Sequence, residues 1–169
     1  THKAPDILVG GLGLGYTAQA VLAYKHVRSV TIIEYLAPVI SWHRDGLLPI
    51  GTALADDPRC KIVEADFFAS AASDDGFDKA QPHRKFDAIF LDIDHTPDFH
   101  LNHSHASFYS EEGLRKLASH LNEGGVFALW SNDPSDDAFI NRLKDIFKNA
   151  HAEDVVFFNP LMETDCTQT

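Results

Sequence analysis

Cysteine is scarce: two residues, Cys60 and Cys166, in a chain of 169. Neither belongs to a patterned pair, so a disulfide framework and a zinc site built on cysteine are both excluded. Positive charge is short as well. Fourteen Lys and Arg against 25 Asp and Glu leave a formal charge of −11, and so acidic a chain lacks the basic face that a sequence-independent grip on nucleic acid or an anionic membrane requires. No run approaches the roughly 18 apolar residues of a membrane span, and Thr1 to Asp6 contains no apolar signal core. These absences point to a soluble, cytoplasmic protein that handles small molecules, cationic ones included. The chain starts at Thr1 rather than Met and enters a strand almost at once, so it reads as part of a longer protein. With 44% hydrophobic residues and no repeat or low-complexity tract, residues 1–169 are expected to form one domain.

What the sequence does have is glycine in one place. Ile7-Leu8-Val9 runs into Gly10-Gly11-Leu12-Gly13-Leu14-Gly15, and apolar spacing resumes at Thr17 to Ala23. This is the pattern of strand, tight turn and helix with which an α/β protein receives a nucleotide: glycine permits positive φ and close backbone approach, and the helix start offers free N–H groups.

Further units follow in order. Val30 to Glu34 is a β-branched strand, and Pro38 to Arg44 has helical spacing that ends in the Gly46 to Gly51 region. Cys60 to Asp66 forms a third strand and Phe67-Phe68-Ala69 opens a short helix. Ser73 to Lys85 is polar and reads as a surface insertion. Phe86 to Asp92 is a strand apolar enough to be buried on both faces, followed by an irregular loop from Ile93 to Ser107. Glu111 to Leu121 is helical, Val126 to Trp130 is a fifth strand, Ser135 to Ala150 an amphipathic helix, and Val155 to Phe158 a sixth strand. Alternation of this kind predicts an α/β fold with a mostly parallel central sheet, helices on both faces, and the ligand at the carboxyl ends of the strands. The last antiparallel strand, after Pro160, is expected to be incomplete.

Acids stand at successive strand ends. Glu34 follows Gly15 by about the spacing of a carboxylate that bonds ribose hydroxyls. Asp66 can accept from an exocyclic amine such as that of adenine or cap the helix after it, and Phe67 beside it can supply an apolar wall. Asp92, with Asp94 and His95 close behind, can hold an ammonium group or take a proton from an amine. The glycines and Glu34 alone are equally compatible with an NAD-dependent dehydrogenase.

Taken together, the glycine turn, Glu34, Asp66, Phe86 to Asp92, Phe108 to Leu114 and Leu121 to Phe127 resemble the spermidine synthase family over roughly residues 6 to 160. The resemblance implies a Rossmann-like fold of the S-adenosylmethionine-methyltransferase type, with S-adenosylmethionine or its decarboxylated form as donor. It places Gly11, Gly13 and Gly15 along the sulfonium-bearing chain, Glu34 at the ribose, Asp66 at the adenine amine and Asp92 at the transferred group. The family carries an Asp where this chain has Leu14. Its Asp-x-x-Asp-Pro loop is represented by Asp92, Asp94, His95 and Pro97, and the family's N-terminal β-hairpin domain, which contributes amine-pocket and dimer contacts, has no counterpart here.

The expectation is a transferase that moves an aminopropyl group onto a small-molecule amine, with Asp94 or His95 as the base and a homodimer as the assembly. S-adenosylmethionine-dependent methyl transfer and a non-catalytic nucleoside-binding module are the alternatives. His95, His100, His103 and His105 form a histidine-dense stretch that fits no common zinc spacing and reads better as a gate over the ligand; no metal is expected. Tyr109 is a candidate for the pocket rim or for packing, and Trp42 and His43 are read as core packing and a solvated face.

Overall fold

The apolar runs form strands because their alternate side chains find helices on both sides. In the computed structural model, which describes residues 4–77 and 81–169, β1 (Asp6–Gly10), β2 (Ser29–Glu34), β3 (Cys60–Glu64), β4 (Phe86–Leu91) and β5 (Leu121–Leu129) make one sheet in the order β3-β2-β1-β4-β5. Every pairing within it is parallel. Helices α1 (Tyr16–Leu22), α2 (Ala37–Arg44) and α3 (Gly51–Asp56) alternate with the first three strands; α4 (Phe67–Ala72), α5 (Glu111–Ala118) and α6 (Asp137–Lys144) follow.

Strand periodicity of two divides the core. Leu8, Ile33, Ile89 and Leu91 face Phe67 and Phe68 of α4, Leu114 and Leu117 of α5 and Phe139 of α6. Ile7, Val9 and Ile32 face the other way, onto Ala18, Leu22, Ile40 and Leu54 of α1 to α3. β1, at the centre, is buried at all five positions. Each fully buried side chain of this size contributes about 1.5–3 kcal/mol, so the sheet is held from both faces.

Several elements differ from their sequence signals. The helix expected over 111–121 stops at Ala118, and β5 begins at Leu121, which pairs with Phe86 ahead of Gly124; a register shift between Phe86 and Ala88 absorbs the glycine pair. The helix expected over 135–150 ends at Lys144. Gly51, read as a terminator, instead starts α3, and a Cβ there would lie 2.6 Å from the His43 carbonyl oxygen, so its role is close approach. Within the polar stretch 73–85, Phe77 is buried in the core, whereas 78–80 lie outside the described residues.

The sixth strand does not join the sheet. β6 (Val155–Asn159) pairs antiparallel with β7 (Thr164–Gln168) as a separate two-stranded unit. It meets the end of β5 where Ser131 and Thr169 exchange two backbone hydrogen bonds of 2.6 and 3.0 Å. Among the described residues, no helix is long and apolar enough to cross a membrane.

Candidate functional site

Because β3, β2, β1 and β4 are parallel neighbours, their carboxyl ends lie side by side. Asp66, Glu34, the glycine turn and Asp92 follow these four strands in that order. At the usual strand spacing the row is about 14 Å long, enough for an extended nucleoside.

The turn is built by contact as well as conformation. Gly11 has φ 94°, and a Cβ there would lie 2.3 Å from the Asp92 carbonyl oxygen. Gly15, at φ 89°, would collide with Leu54 and His43 at 2.5 and 2.9 Å. Gly13 also has a positive φ, but a Cβ would meet nothing within 4 Å, so its face of the turn is open. Leu14 beside it is exposed.

Glu34 is nearly buried. Its Oε2 accepts from the Leu12 N–H at 3.0 Å and its Oε1 from the Leu36 N–H at 2.8 Å, which ties the end of β2 to the turn. Each oxygen keeps a second lone pair for a ribose hydroxyl. Asp66 caps α4: its Oδ1 accepts from the Phe68 and Ala69 N–H groups at 2.9 and 3.1 Å. Among the described residues its Oδ2 has no hydrogen-bond partner, so capping and acceptance of an amine are compatible. The ring of Phe67, expected as a wall beside the ligand, is turned under Gly10 and is 2% exposed, packed on Phe68, Phe77 and Phe108.

One residue behind the turn gives no functional signal in sequence, and the structure reverses the order expected on α2, with Trp42 exposed and His43 buried. His43 of α2 is fully buried, and its Nε2–H donates to the Gly13 carbonyl oxygen at 2.9 Å, leaving Nδ1 buried without a partner. It couples α2 directly to the backbone of the turn. A lone helical histidine gives no such indication in sequence, because the partner is a main-chain atom thirty positions away.

The segment after β4 brings the remaining candidates together. Asp92 is exposed, and its Oδ2 accepts from the Thr17 hydroxyl at 3.1 Å. Asp94 is the opposite case: its side chain is 1% exposed and receives the Leu101 N–H at 2.8 Å, the Tyr109 hydroxyl at 3.0 Å and His105 Nδ1 at 2.9 and 3.0 Å. Burial, then the adjacent Asp94 charge and hydrogen bond, push the Tyr109 hydroxyl far above its ordinary range, so it remains a donor. His95 is exposed, stacks on Phe99 and lies with Nδ1 3.1 Å from Asn132 Nδ2. The irregular loop includes a 3₁₀ turn over His103–Ser107, and from it His105 stacks on Phe68 with centroids 3.7 Å apart. Asp94 thus ties together Leu101, His105 and Tyr109, whereas His95 leans toward the end of β5.

Other reactive groups are unsuited to chemistry at this row. Burial, then the Asp57 charge, pushes the Cys60 thiol up to about 11, far from the thiolate a nucleophile needs. Among the described residues, no three His, Cys, Asp or Glu side chains are grouped to hold a metal. A cavity of about 360 Å³ lined by Asp74, His83, Lys85, Lys116, Ser119 and His120 lies at the amino ends of β4 and β5, away from the turn.

Known proteins resemble the chain in sequence and in fold. A polyamine aminopropyltransferase of Sulfolobus acidocaldarius is 29% identical over 152 residues, a match covering 87% of this chain and 47% of that protein. The chain therefore spans about half the length of such a relative. A solved spermidine synthase in complex with the transition state analogue AdoDATO superposes with a TM-score of 0.67 at 23% identity, covering 99% of this chain and 54% of the other. Human methyltransferase-like protein 13 in complex with SAH superposes at 0.60 with 21% identity, over 97% and 70% of the respective chains. These two likenesses concern the fold. The spermine/spermidine synthase domain model matches residues 1–159, most of the chain, so the chain belongs to the spermine/spermidine synthase family.

Proposed function

We propose that this chain binds decarboxylated S-adenosylmethionine along its strand ends and transfers the aminopropyl group to a small alkyl amine. One observation carries the reading: three carboxylates, at Glu34, Asp66 and Asp92, flank a glycine turn on four neighbouring parallel strands. In this reading Asp66 Oδ2 accepts from the adenine amine, Glu34 from the ribose, and the open side of Gly11, Gly13 and Gly15 receives the sulfonium-bearing chain. Asp92, exposed and negatively charged, holds the ammonium group next to the reacting carbon. The reaction is an in-line displacement, so positioning supplies much of the acceleration. The polyamine aminopropyltransferases among its relatives support an amine acceptor.

Leu14 favours a second reading. Exposed on the turn, it puts an apolar group where the family has an Asp, which suits S-adenosylmethionine as a methyl donor less polarly held at its chain end.

Calorimetry with decarboxylated S-adenosylmethionine, S-adenosylmethionine, methylthioadenosine and NAD separates these readings. Binding of the sulfonium nucleosides without NAD is expected, followed by a mass gain of one aminopropyl unit on putrescine. Tight NAD binding with no sulfonium-nucleoside binding overturns the proposal. Donor binding with no product on any amine reduces it to methyl transfer or binding alone.

A further inference from the structure

We propose that His105, oriented by Asp94, is the proton acceptor for the attacking amine. This rests on the transferase reading above and assigns the base that Asp94 and His95 were expected to supply. Asp94 is unsuited because its carboxylate is buried beneath three different donors. The two histidines differ in where a neutral ring keeps its proton, and the difference follows from their neighbours.

At His105, both Asp94 oxygens face Nδ1, at 2.9 and 3.0 Å. A lone pair there would oppose the lone pairs of an anion, so Nδ1 carries the hydrogen and Nε2 carries the free lone pair. Among the described residues Nε2 has no hydrogen-bond partner, the side chain is 13% exposed, and stacking on Phe68 sets the ring plane. At His95 the order is reversed. Its Nδ1 meets the Asn132 amide nitrogen at 3.1 Å, while the Asn132 oxygen accepts from Gln168 Nε2–H at 3.3 Å. The amide nitrogen only donates, so His95 accepts at Nδ1 and carries its hydrogen on Nε2. On the same loop, one imidazole thus presents an acceptor and the other a donor. Among the described residues, the groups packed around His105 are Asp94, the Tyr109 hydroxyl that shares Asp94 Oδ2 with it, and the uncharged ring of Phe68.

The step balances. The amine arrives as an ammonium ion, and His105 Nε2 takes one of its protons. The freed nitrogen pair forms the N–C bond at the carbon beside the sulfonium, and the C–S bonding pair leaves on sulfur as a neutral thioether. The product is a secondary ammonium ion; the His105 imidazolium, held by Asp94, returns its proton to water.

The test is the pH dependence of kcat for the wild type and for His105→Gln, with donor affinity measured alongside. A positioned base contributes about 100-fold or more. Expected results are a kcat lower by about 100-fold, disappearance of the acid limb of the profile, and donor affinity within about twofold of wild type. His103→Gln on the same turn keeps the wild-type rate. Independently of turnover, ¹⁵N NMR of the wild type should show the Nδ1–H form at His105 and the Nε2–H form at His95. An unchanged rate and profile in His105→Gln, in an enzyme that does transfer, overturns this assignment alone, as does Nε2–H at His105. A wild type that binds donor and transfers nothing to any amine overturns the transferase reading and the base with it.

Discussion

The parallel sheet carries carboxylates at both ends, and their partners differ in kind. At the amino end, Asp6 takes the Arg28 guanidinium and the Ser29 hydroxyl and lies 3.5 Å from Arg84. At the carboxyl end, Glu34 and Asp66 are held by backbone N–H groups and Asp92 by the Thr17 hydroxyl. A guanidinium neutralises the acid it pairs with. An amide or hydroxyl orients it and leaves its charge, so one end closes the fold and the other retains attraction for a cation.

The strongest break of this contrast is Asp92→Asn. It removes the exposed charge while keeping the shape and the contact with Thr17. Loss of an electrostatic group aimed at the reacting centre costs about 100- to 1,000-fold in rate. The transfer rate, read by mass analysis of product, is expected to fall by that order, while the melting temperature moves by no more than about 2 °C. A melting shift as large as the one at Asp6 would mean that Asp92 belongs to the fold and not to the site.

Binding, not turnover, is the readout one strand over. Asp66→Ala is expected to weaken donor binding about tenfold, and more than Asp94→Ala does, by calorimetry; the reverse order puts the nucleoside at the wrong end of the row. His43→Leu sharpens the comparison from behind the turn. It keeps the volume roughly but leaves the Gly13 carbonyl without its donor, an unmade bond of about 1–3 kcal/mol. Donor affinity should fall about five- to tenfold, with kcat at saturation nearly unchanged.

These residues also mark what could be read from the chain. The placement of the glycine turn, Glu34, Asp66 and Asp92 at neighbouring strand ends is legible because each is a local signal, a residue type at the end of an apolar run, and because parallel pairing aligns such ends without further information. Phe67 was misplaced: sequence adjacency to Asp66 put it beside the ligand, but a helix turn sends consecutive side chains in different directions, and its ring fills the space under Gly10. His105 was visible only as one of several histidines, because its orientation depends on Asp94, eleven residues earlier, folding back under Tyr109. The expected 111–121 helix failed at its end because β5 pairing at Leu121 outweighed helix propensity. Contacts made across the fold are invisible to spacing, and those of His43 and His105 are of that kind.

The smallest effect belongs to the amino end, and it is one of stability. The hydrogen bond from Arg28, helped by Ser29 and opposed by burial, holds the Asp6 carboxyl down at about 2 from an ordinary value of 3.8. A depressed carboxyl stabilises the folded chain above its unfolded value, and the gain disappears as pH falls toward the folded value. The gain is therefore complete above about pH 4–5 and lost by about pH 2. A fall from 3.8 to about 2 corresponds to about 2.4 kcal/mol, but Arg28 is half exposed, and solvent screening reduces this to about 1–2 kcal/mol. Asp6→Asn should lower the melting temperature by about 3–6 °C at neutral pH, without changing donor affinity. The gap between variant and wild type should narrow as the pH is taken from 4 toward 2. A gap that stays constant over that window would mean the variant loses packing at β1 and not charge, and the contrast between the two ends would have to be redrawn on shape alone.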